Sequence, residues 1–113
     1  MEVAYSPDIE RMDLLVPLSA QLDKLISPRS SPRVKARWSM VREPHAPVQY
    51  RLSLRDDSGH VSTDFTLDEL GNRLHMQFRL PDIWGDLLKI RNDLEHEEVL
   101  RLMREYDPEL EVV

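Results

Sequence analysis

The chain has 113 residues, enough for one domain, and its 41% hydrophobic and 32% charged composition is that of a soluble globular protein. It contains no cysteine, which excludes disulfides, thiolate catalysis and cysteine-ligated zinc or iron–sulfur sites. The net charge of −6 is all carried by residues 81–113, where ten acids meet four bases, so the first eighty residues are neutral. Such a tail opposes approach of that region to nucleic acid or an anionic membrane.

Taken in order, the opening MEVAYSPDIE carries acids where a signal peptide carries bases, and no run reaches the roughly eighteen apolar residues of a membrane span. A cytoplasmic location with no membrane contact is the expectation. Residues 6–27 read as helical. Ser6-Pro7-Asp8 supplies a cap, a first-turn proline and an acid, and Leu15, Leu18, Leu22 and Leu25 form one stripe. Pro17 falls within this run and is expected to open a second helix. Residues 27–33, SPRSSPR, form a polar connection.

From 34 to 80 the period becomes two. Four alternating runs place Val34, Ala36, Trp38 and Met40; Val48, Tyr50, Leu52 and Leu54; Val61, Thr63, Phe65 and Leu67; and Leu74, Met76, Phe78 and Leu80 on one face. EPHAP, DDSGH and DELGN are read as the turns between them. This predicts a four-stranded antiparallel meander with one face buried and one wet. After Pro81-Asp82, the stripe Ile83, Leu87, Ile90 and Leu94 and the stripe Val99, Leu102, Met103 and Tyr106 differ in phase. Two helices over 82–106 are therefore expected, with a break near 92–96. Asp107-Pro108 is expected to stop the second, and ELEVV is too short to assign. The chain is thus predicted to be a single α+β domain, 1–113, a two-layer sandwich with the helices on the apolar sheet face.

Three features could carry function. On the wet face, alternation exposes Lys35, Arg37, Arg51, Arg55, Arg73 and Arg79, with Asp64 opposing them and Glu43 at the edge, a surface near +4. It could receive an acidic protein segment, a second copy of the chain, or RNA. Sheet-face RNA binders stack bases on exposed aromatics, whereas Trp38, Tyr50, Phe65 and Phe78 are all predicted to face inward, which favours protein. The histidines at 45, 60 and 75 are scattered along the predicted meander, and three glycines supply no phosphate loop, so neither metal nor cofactor is expected.

The third feature is Arg91-Asn92-x-x-x-His96, which resembles the motif of the HEPN family of ribonucleases over six residues. The resemblance implies that Arg91 would bind a scissile phosphate and that His96 would act as acid or base on a ribose 2′-hydroxyl, without metal, with two motifs paired across a dimer. It also implies a helical bundle, against nearly half of this chain alternating as strands. The expected function is therefore a non-enzymatic macromolecule-binding domain. An RNA-directed protein, either a binder or a nuclease using Arg91 and His96, is the alternative.

Overall fold

The computed structural model describes residues 1–106. The fold is a two-layer α+β sandwich in which an N-terminal helix and C-terminal helices pack on one face of a four-stranded sheet. Its elements are β1 (Glu2–Tyr5), α1 (Met12–Leu25), β2 (Lys35–Val41), β3 (Gln49–Asp56), β4 (Gly59–Phe65), α2 (Leu67–Leu70) and α3 (Arg73–Tyr106). A single 3-10 turn, Ser31–Arg33, lies within the polar connection ahead of β2.

Strands β2, β3 and β4 form the antiparallel meander that alternation predicts, and their inward set is buried or half-buried, except Leu67, which opens α2 and is 41% exposed. Trp38, Leu52 and Leu54 have no exposed surface, and Ala36, Tyr50 and Phe65 have almost none. The fourth strand is a different segment. Residues 73–80 are helical, and the sheet is completed by β1, which lies parallel to β2 with Val3 beside Ala36 and Tyr5 beside Trp38. The sheet is therefore mixed, in the order β1-β2-β3-β4.

The segment read as a strand contains two helical pairs as well as an alternation. Met76 and Leu80, four apart, are both buried, whereas Leu74 and Phe78, also four apart, are exposed. A run of eight with period two always contains such pairs, so periodicity alone does not separate the two states. Local caps decide. Thr66 accepts from the amide of Glu69 while the Glu69 side chain accepts from the Thr66 amide, a reciprocal box that opens α2. Asn72 then accepts from the amide of His75 and starts α3. The DELGN segment is thus a helix and a cap rather than a strand turn.

α3 continues unbroken through Pro81 and through 92–96, where a break was expected. Its two apolar stripes differ in phase because only the first has a core beneath it: Met76, Leu80, Ile83, Trp84 and Leu87 are buried, and the helix then runs past the edge of the core. α1 is also a single helix with Pro17 inside it, and it begins six residues later than predicted. Ser6 is instead buried at the end of β1, its amide donating to the carbonyl of Trp38, and a turn at Pro7-Asp8 follows on the way to α1. Leu15, Leu18 and Leu22 are buried as expected, and Ile26 replaces the exposed Leu25 at the foot of the stripe. Asp107-Pro108 and ELEVV lie outside the described residues. Among the described residues, no helix is long and apolar enough to cross a membrane.

Ser19 ties the two layers together. Its hydroxyl accepts from Trp38 Nε1 at 2.9 Å, donates to the carbonyl of Leu15 at 2.8 Å and lies 3.3 Å from the Tyr5 hydroxyl. One buried serine on α1 therefore satisfies the indole of β2 and touches β1, which docks the unforeseen strand.

Candidate functional site

The sheet face turned away from the helices is the only broad surface on which cationic side chains from several strands converge among the described residues. Register places Lys35 opposite Arg55, and Arg55 opposite His60. Arg37 stands opposite Ser53, which stands opposite Ser62. On the outer side, β1 sets Glu2 beside Lys35 and Ala4 beside Arg37. A shallow concavity of about 620 Å³ lies here, lined among others by Ala4, Lys35, Arg37, Ser53, Arg55 and His60. Small residues at 4 and 53 leave room between long basic side chains, so the depression has apolar stems and cationic heads.

The charges on this face are not equivalent. Arg51 is occupied, with Nε and Nη2 donating to the two oxygens of Asp64 at 2.8 and 3.1 Å across the β3–β4 pair. Lys35, Arg37 and Arg55 have no ion-pair partner among the described residues. Like charges directly across a sheet destabilise it, and Lys35 with Arg55 is such a pair.

Two residues assigned to this face by alternation are elsewhere. Arg73 and Arg79 lie on α3 because their segment is helical. Arg79 reaches β4 from the covered side, donating to Thr63 Oγ1 at 2.8 Å with its guanidinium 5.9 Å over the Phe65 ring. Phe78, predicted to be buried, is 66% exposed on the outer side of that helix. His75, expected within the meander, stands in the first turn of α3 with its Nε2 2.8 Å from a Glu69 carboxylate oxygen.

Arg91 and His96 are not brought together. Five residues along a helix separate two side chains by about 140° around the axis. His96 is exposed, whereas Arg91 is engaged. Its Nη2 pairs with Asp56 at the end of β3, its Nη1 donates to Ser30 Oγ at 2.9 Å, and its guanidinium lies 5.9 Å over Trp84. Arg91 thus pins α3 to the β3–β4 hairpin and to the connection before β2. Asp56 is only 2% exposed. Burial pushes its carboxyl up, but bonds from Arg91 and from the amide of Ser58 at 2.8 Å outweigh this and hold it below the usual carboxylate range. Sequence carries no signal for this contact, because the partners stand 35 and 61 residues away from Arg91.

Among the described residues, no three His, Asp or Glu side chains converge as a metal-ligand group. No protein-family model, curated protein or solved structure matches this chain.

Proposed function

We propose that this is a protein-interaction domain whose outer sheet face receives an acidic segment of a partner protein. The observation that carries this reading is the set Lys35, Arg37 and Arg55, drawn from two adjacent strands around one depression; none of the three is in an ion pair among the described residues, and of the two acids that also line it Asp56 is taken by Arg91 and Glu2 sits at the β1 edge. Carboxylates seated between Lys35 and Arg55 relieve the repulsion across the strand pair, so binding recovers free energy that the empty face forgoes. A protein is favoured over RNA because Trp38, Tyr50 and Phe65 are all buried, leaving this face no platform for stacking bases. An extended or helical segment rich in Asp and Glu, with small residues against Ala4 and Ser53, fits the spacing.

The test is anisotropy of a labelled oligoglutamate peptide, with single-stranded RNA as competitor. Arg37→Glu with Arg55→Glu is expected to weaken peptide binding at least about tenfold while leaving thermal unfolding unchanged or slightly raised. Raising salt from about 0.05 to 0.5 M should produce a comparable loss. A peptide that fails to bind, or binding that survives both reversals, overturns the reading. Tighter binding of RNA than of peptide transfers the face to nucleic acid.

A further inference from the structure

Along one flank of α3, Leu74 and Phe78 are followed by Pro81, Gly85 and Leu88, then by Asn92, Glu95, Val99 and Leu102. The steps alternate between four and three residues throughout, the spacing of a helix seam that meets another helix. Leu74, Phe78, Val99 and Leu102 are 65%, 66%, 52% and 45% exposed, so among the described residues both ends of this line are uncovered, while Leu88 at its middle is half-buried against the edge of the core. Gly85 sits on it in mid-helix, where a side chain would meet nothing within 4 Å. Glycine weakens a helix interior relative to alanine, and no contact among the described residues requires it here.

We propose that this seam is the interface of a two-fold dimer, in which α3 of a second copy lies antiparallel along it. The pattern is its own complement about a point near residue 90. With the axis there, Phe78 meets Leu102 of the second copy, Pro81 meets Val99, Gly85 meets Glu95 and Leu88 meets Asn92. Large residues face large at the ends, and the glycine makes room for the longest polar side chain in the seam. Charge selects the same direction. Residues 73–89 carry Arg73, Arg79 and Lys89 against Asp82 and Asp86, a net +1. Residues 92–105 carry Asp93, Glu95, Glu97, Glu98 and Glu105 against Arg101 and Arg104, a net −3. Antiparallel packing lays each acidic half on a basic half, whereas parallel packing lays the acidic halves together. The far half of α3 also gains a support that its own chain does not provide, since an isolated helix of that length is marginal in water. The dimer leaves the outer sheet face open, so the inference is independent of the function proposed above.

The absence of cysteine makes the test direct. Chains carrying Phe78→Cys and chains carrying Leu102→Cys are mixed and oxidised under mild conditions. The antiparallel seam is expected to give the mixed disulfide in excess over either homodimer. Self-linked Leu102→Cys as the main product indicates parallel packing and overturns the arrangement. By sedimentation the native chain should have twice the 13.3 kDa monomer mass, and Phe78→Glu with Leu102→Glu should return it to 13.3 kDa. Both positions are exposed, so the monomer's fold is expected to survive, with a near-native circular dichroism spectrum over the sheet and first helical half. A native chain that stays monomeric at millimolar concentration, or a dimer that survives both glutamates, overturns the proposal.

Discussion

Arg91 shows how one side chain can be read as chemistry in the sequence and as architecture in the fold. Its guanidinium satisfies Asp56 and Ser30 and covers Trp84, so its removal leaves a 2% exposed carboxylate without its cation. Arg91→Ala is expected to cost about 3–5 kcal/mol, as for other broken buried pairs, and His96→Ala less than about 0.5 kcal/mol. Denaturant melts of the two variants compare them directly, and equal, small losses would show that the pair adds nothing. The pH dependence has a definite sign. Because the folded-state pKa of Asp56 is lowered, its stabilisation is fully present above the unfolded value of about 3.9 and is lost as pH falls through the lower folded value. In Arg91→Ala that loss on acidification should shrink or vanish. Nothing in the sequence announces this pair, because it depends on a hairpin and a helix that meet only once folded.

At the scale of the element, the sheet's β2–β4 faces and the core they bury were readable from alternation, because those strands have one wet and one dry side. Two features were not. β1 spans four residues, too few to show a period, and its place beside β2 is set by docking through Ser19 and Tyr5. Residues 73–80 satisfy both strand and helix spacing, and the deciding signals were the caps at Thr66 and Asn72 rather than the apolar pattern. The candidate site followed the same division: Lys35, Arg37, Arg51 and Arg55 were found by alternation, and Arg73 and Arg79 were lost with the strand that was not there. The helix makes a prediction opposite to the strand's. In protein dilute enough to be monomeric, Leu80→Ala should cost about 2–5 kcal/mol, whereas Phe78→Ala should cost less than about 1 kcal/mol. A strand would bury both residues, so comparable melts for the two variants would contradict the helical assignment. Ser19→Ala belongs to the same test of layer docking, with an expected loss of about 1–3 kcal/mol from leaving the Trp38 indole N–H unsatisfied.

At the scale of the whole molecule, stability is expected to fall along α3. The helix has 34 residues and extends about 51 Å at 1.5 Å per residue, and its buried positions end at Leu87. Up to Arg91 its amides are held by the core and by the ion pair to Asp56, so opening them requires unfolding of the domain. Beyond that residue, Leu94, Val99, Leu102 and Met103 are all more than 40% exposed, and within one chain only local helical bonds resist exchange. Hydrogen exchange should therefore divide near residue 91: amides of 76–90 slow and global, amides of 95–106 fast and local in dilute protein. Because pairing by α3 brings the first half of one copy against the second half of another, concentration should protect 95–106 while changing 76–90 far less. Uniform protection along α3 in the Phe78→Glu, Leu102→Glu chain would mean that the far half is stabilised from within, and a helix with its own internal support has no need of a second copy.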